Sequence, residues 1–142
     1  STPKNSANAP KFSIFGIGNY SFSKYKVAIS GFYKEAIFVM LKANKPIMLD
    51  DTCYFLSFND EKTAMITTIL LNSDVVKRFL LSITNINSKR PYTKKVLSRI
   101  NLEEVSKILD FNYISNMERY IFQTENITVD DYENFVNTIA FS

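Results

Sequence analysis

The sequence predicts an α+β fold: an N-terminal mixed, partly curled β-sheet followed by several helices, all in a single domain. Three observations carry this. Up to Phe58 the apolar residues alternate with period two, and from Glu61 onward their spacing turns helical. All three glycines, Gly16, Gly18 and Gly31, fall in the first part, where turns between short strands favour positive φ. A chain of 142 residues, 46% hydrophobic and 22% charged, suits one core of ordinary size.

The elements follow in order. Residues 1–10 are small, polar and contain two prolines, which is linker composition. The chain does not begin with Met, so the expectation is the C-terminal piece of a longer protein with that linker attached. Strand-like runs follow at 11–15, 25–30 and 36–41; in the second, Tyr25, Val27 and Ile29 lie on one face and Lys26, Ala28 and Ser30 on the other. Next comes Pro46-Ile-Met-Leu-Asp-Asp-Thr-Cys-Tyr-Phe-Leu-Ser-Phe58. Here Thr52, Tyr54, Leu56 and Phe58 mark a strand with one face on the core, and Asp50 and Asp51 belong at its mouth. They are either a turn before a core strand or an edge that touches a partner.

Helices occupy the rest. Residues 64–71 form a short apolar helix ending near Asn72. Ser73 caps the next, with Asp74 in its first turn and Val76, Phe79, Leu80 and Ile83 inside. Residues 85–91 read as a polar, basic loop, and 93–100 as a short element presenting Lys94, Lys95 and Arg99. Asn101 with Glu104 makes a capping box before Leu102, Val105, Ile108 and Leu109. Thr128 with Asp131 repeats it before Val129, Tyr132, Phe135, Val136 and Ile139.

Composition excludes several chemistries. There is no histidine, hence no His general base, no Ser-His or Cys-His pair and no His metal ligand. Cys53 is the single cysteine, which rules out an internal disulfide or a thiolate zinc site; it reads as a small buried hydrophobe. Binding is favoured over catalysis, and neither catalytic nor metal residues are assigned. No apolar run approaches the roughly 20 residues of a membrane span, and no signal peptide is visible, so a soluble cytoplasmic protein is expected.

Charge adds a direction. Residues 1–100 carry 15 Lys+Arg against 6 Asp+Glu, whereas residues 101–142 carry only Lys107 and Arg119 against 8 acids. A basic body joined to an acidic tail points to an anionic partner for the body, such as nucleic acid. The bland alternative is that the lysines only keep the surface soluble.

Several local patterns bear on function. Phe15-Gly16-Ile17-Gly18 lacks the third glycine and following helix of a dinucleotide loop. Asp51, Asp60 and Lys62 imitate the carboxylates and lysine of a metal-dependent nuclease, but Asp60-Glu61-Lys62 reads more simply as a solvated loop. Ser88-Lys89-Arg90-Pro91-Tyr92 suits a phosphate-facing loop better than a base pocket. Cations beside planar groups recur at Lys24-Tyr25-Lys26, at Tyr33-Lys34, and through Lys89, Arg90, Tyr92, Lys94, Lys95 and Arg99. Such residues neutralise phosphates and meet or stack on bases.

Five blocks then occur in order: Lys11-Phe-Ser-Ile-Phe-Gly-Ile-Gly-Asn-Tyr-Ser-Phe-Ser-Lys-Tyr-Lys-Val27, Gly31-Phe-Tyr-Lys34, Lys45-Pro-Ile-Met-Leu-Asp-Asp-Thr-Cys-Tyr-Phe55, Leu70-Leu-Asn-Ser73 and Lys89-Arg-Pro91. This series resembles the C-terminal target-recognition (TaqI-like specificity) region of N6-adenine DNA methyltransferases, including those fused to restriction nucleases. The resemblance covers about residues 11 to 102. It implies a specificity domain over 11–142 that binds double-stranded DNA for its own N-terminal methyltransferase domain. The family's glycine-rich S-adenosylmethionine motif and Asn/Asp-Pro-Pro-Tyr motif are absent, so S-adenosylmethionine is expected on the missing catalytic domain and no cofactor here.

From charge and position the DNA-contacting residues are expected to be Lys24, Tyr25, Lys26, Tyr33, Lys34, Asp51, Thr52, Lys89, Arg90, Lys94, Lys95 and Arg99, with the acidic last third facing away. The alternatives are a metal-dependent nuclease using Asp51, Asp60 and Lys62, and a protein-interaction module whose acidic helices engage a partner subunit.

Overall fold

The period-two segments become four strands: β1 (Ser13–Ile14), β2 (Tyr25–Ser30), β3 (Val39–Lys42) and β4 (Cys53–Phe58). They form one open sheet in the order β1-β4-β2-β3. The computed structural model describes residues 13–14, 24–30, 34–42, 53–85 and 87–141. The expected linker at 1–10, the three glycines, Tyr33, and Asp50, Asp51 and Thr52 lie outside the described residues.

The α+β class and the order of sheet before helices stand. Every described pairing is antiparallel, in place of the mixed sheet expected. Parallel neighbours need a crossover of about a dozen residues or more, and the stretches 31–38 and 43–52 are shorter than that. The register sets Tyr25 opposite Phe58, Val27 opposite Leu56 and Ile29 opposite Tyr54. The face foreseen from alternation is therefore the face that packs on the helices. On the reverse face Ala28, Phe55 and Leu41 form a second, smaller cluster, so the sheet is covered there as well.

Among the described residues six helices follow: α1 (Glu61–Leu71), α2 (Asp74–Ile83), α3 (Lys94–Leu97), α4 (Leu102–Ile108), α5 (Phe111–Phe122) and α6 (Val129–Phe141). Five have a side chain closing the first turn: Asp60, Ser73, Thr93, Asn101 and Asp110 each accept from the backbone N–H three residues on. Thr128 opens α6 with a complete box. Its Oγ1 accepts from the Asp131 N–H at 3.1 Å, and its own N–H reaches Asp131 Oδ2 at 2.8 Å. Helix α5 is the element that periodicity did not disclose.

Helix α1 lies at the centre. It packs against β2, β3 and β4 on one side and against α2, α4, α5 and α6 on the others. Residues 64–71 are accordingly all buried, as suits a helix apolar nearly all round. Thr67 and Thr68 enter this core because their hydroxyls donate to the carbonyls of Thr63 and Ala64, each at 2.8 Å, leaving no orphan donor. Ile66, Ile69, Leu70 and Leu71 are essentially sealed from water. Burying each stabilises the fold by about 1.5–3 kcal/mol.

The turn between α1 and α2 also locks the sheet to the helices. Asn72 ends α1, and its side chain grips one residue of the segment before β3: Oδ1 accepts from the Phe38 N–H and Nδ2 donates to the Phe38 carbonyl, both at 2.8 Å. Ser73, buried beside it, ends one helix and starts the next: its hydroxyl donates to the Leu70 carbonyl at 2.7 Å and accepts from the Val76 N–H at 3.3 Å. The Leu70-Leu-Asn-Ser73 block is thus a structural joint.

Candidate nucleic-acid interface

The expected contact residues fall into distinct places. Lys24 and Tyr25 stand at the start of β2, with the Lys24 ammonium 5.7 Å from the Tyr25 ring centroid. Such a pair is worth about 0.5–1 kcal/mol when exposed. Tyr25 faces the helices and is half-buried against the core. About 17 Å of extended strand separates it from the far end of β2.

Lys26 departs from the expectation. It lies on the reverse face of β2 and is fully buried, and desolvation lowers the pKa of its ammonium. It shares that face with the apolar cluster of Ala28, Phe55 and Leu41.

Lys34, Lys89 and Arg90 do come together. Tyr92 is sealed in the core with only 1% of its surface exposed, and its hydroxyl donates to the Lys34 carbonyl at 2.6 Å. Burial, with a smaller contribution from Glu35, pushes that phenol up, so it remains a donor. Lys34 Nζ returns to the Ser88 carbonyl at 3.5 Å. The Ser88 hydroxyl receives the Arg90 N–H at 3.2 Å, and Asn85 Oδ1 receives the Asn87 N–H at 3.0 Å, which folds the loop on itself. Pro91 and Tyr92 are the buried anchors of this stretch, while Lys89 and Arg90 on one side and Lys94 and Lys95 on the other are exposed. Short helix α3 follows, its Thr93 cap accepting from the Val96 N–H at 3.2 Å and its Leu97 plugged into the core; Arg99 is exposed just past its end.

Helix α2 packs beside α3 and adds Lys77 and Arg78, which charge reasoning did not single out. The signal was present: both lie off the inner stripe of Val76 and Leu80. Among the described residues, Lys77, Arg78, Lys89, Lys94, Lys95 and Arg99 form no ion pair.

The cations of the acidic part behave differently. Lys107 lies 3.7 Å from Glu103 and 3.8 Å from Glu104, and Arg119 lies 3.1 Å from Glu125. Both are engaged by carboxylates of their own region.

The nuclease-like residues have structural duties. Asp60 Oδ2 accepts from the Thr63 N–H at 2.7 Å and from its hydroxyl at 2.6 Å, closing the start of α1. Lys62 pairs with Asp131 at 3.1 Å, tying α1 to α6. The Thr128 N–H, then Lys62, hold the Asp131 carboxyl below its ordinary value against the upward push of burial. These groups open on a cavity of about 390 Å³ that Phe58, Ile66 and Phe135 also line. Among the described residues no group of three or more His, Cys, Asp or Glu side chains is placed to hold a metal ion. No helix among them is long and apolar enough to cross a membrane.

Comparison with known proteins places one relative beside this chain. Over 104 residues, 72% of the chain, it is 44% identical to the type II methyltransferase M.NspV of Nostoc sp. (strain ATCC 29411 / PCC 7524). The match spans 22% of that protein, so the chain corresponds to about a fifth of its length. No family model matches the sequence, and no solved structure matches the fold.

Proposed function

We propose that this chain is a DNA target-recognition domain of a restriction-modification N6-adenine DNA methyltransferase. It binds duplex DNA for a catalytic domain that carries S-adenosylmethionine. The observation that carries the reading is that Lys77, Arg78, Lys89, Lys94 and Lys95 form no ion pair among the described residues, on α2, α3 and the loop that buried Tyr92 ties to Lys34. Similarity to a type II methyltransferase supplies the enzyme class.

In this reading Lys and Arg neutralise phosphates and so position the duplex, and base contacts come from neighbouring loops. Tyr33, Asp51 and Thr52, which lie outside the described residues, are proposed as base-contacting residues, since a carboxylate can accept from cytosine N4. The acidic helices α4–α6 turn away from the polyanion.

The test is a fluorescence-anisotropy titration of a labelled 20-base-pair duplex with the chain between about 50 and 200 mM NaCl. Binding that weakens steeply with salt, by about 0.9 in log–log slope for each phosphate neutralised, is the expected outcome. Absence of binding at 50 mM NaCl would refute the assignment.

A further inference from the structure

We propose that the cleft between Lys34 and Lys77 holds one backbone phosphate of the DNA duplex, which makes Lys77 a binding residue. The inference rests on the DNA-recognition reading above and deepens it.

The cleft has a volume of about 380 Å³ and is lined by Lys34, Glu35, Ala36, Lys77, Leu81 and Tyr92. Its two cations come from elements far apart in sequence. Lys34 belongs to the segment that leads to β3, and Lys77 to the middle of α2. They face one space because Tyr92 holds the Lys34 carbonyl at 2.6 Å and because Asn72 holds Phe38 by both backbone groups.

The chemistry of the lining favours a phosphodiester. Two ammonium groups against the single carboxylate of Glu35 leave a net positive site. Buried Ala36 lines it on one side, and Leu81, one turn on from Lys77, is an exposed apolar residue at its edge. Lys77 is half-buried and forms no ion pair among the described residues. The 87–93 loop reaches the cleft through Ser88, whose carbonyl lies 3.5 Å from the Lys34 ammonium.

The experiment measures the salt slope of duplex binding for the wild type, Lys77→Gln, Lys77→Arg and, as a control on the acidic face, Lys107→Gln. Lys77→Gln should make the slope shallower by about 0.9, the loss of one phosphate contact. Lys77→Arg should keep the wild-type slope, and so should Lys107→Gln. If the wild type binds and Lys77→Gln keeps its slope, the cleft is not a phosphate site and the recognition reading survives. Equal loss in Lys107→Gln would likewise overturn the assignment to this cleft. If the wild type does not bind duplex DNA at all, both readings fall. Circular dichroism and thermal midpoints confirm that the variants compared are folded.

Discussion

Asn72 illustrates how one side chain can carry a joint. Its amide satisfies both backbone groups of buried Phe38 and also donates to the Thr68 carbonyl at 3.0 Å. Asn72→Ala removes both of these hydrogen bonds to Phe38, so a loss of about 1–3 kcal/mol is expected, read as a lower urea midpoint. Glu118 is the second such residue. Only 1% of its surface is exposed, and it accepts from the Thr124 hydroxyl at 2.5 Å and the N–H groups of Asn126 and Ile127 at 2.6 and 3.0 Å. Burial alone pushes its carboxyl up, but these donors and the Lys62 ammonium together hold it below its ordinary value. A carboxyl lowered by folding adds stability that is fully present above its unfolded value, about 4.3, and that fades as pH falls through the folded one. Glu118→Gln should therefore cost about 1–3 kcal/mol at pH 7. In urea melts taken at falling pH, the gap to wild type should close below about pH 4; a gap independent of pH would contradict the ionised assignment.

At the scale of elements, caps and stripes were legible and one helix was not. Ser73, Asn101 and Thr128 announced α2, α4 and α6 because each sits just before an apolar stripe of helical spacing. Helix α5 offered similar signs, an Asp110 cap with Phe111, Ile114 and Ile121 behind it. A charged residue, Glu118, stands on the buried face, and the donors that satisfy it lie past the helix end at 124–127, where a pattern within the helix does not look. Lys26 escaped for a related reason: alternation names a face and says nothing of what covers it. The Lys34–Tyr92 contact spans 58 positions and has no local signature. For the cap of α6, Thr128→Ala removes one half of the box and should cost about 1 kcal/mol. In a chain of this size that lowers the thermal midpoint by about 3 °C.

For the whole molecule, sequence composition foresaw the division of charge, and the structure adds which cations are engaged at home. Lys107 and Arg119 are held by neighbouring carboxylates, whereas Lys77, Arg78, Lys89, Lys94 and Lys95 form no ion pair among the described residues. Replacing Lys94 and Lys95 together by Glu should weaken duplex binding at least tenfold at 50 mM NaCl, roughly the effect of losing two phosphate contacts and adding repulsion. Replacing Glu103 and Glu104 by Gln should leave it unchanged or slightly tighter. Anisotropy titrations of the two variants side by side check both. Finally, α1 is wrapped by three strands and four helices, so no partial opening of the edge bares it. In deuterated water its amide protons should be the last in the chain to be replaced, and only at the pace set by complete unfolding.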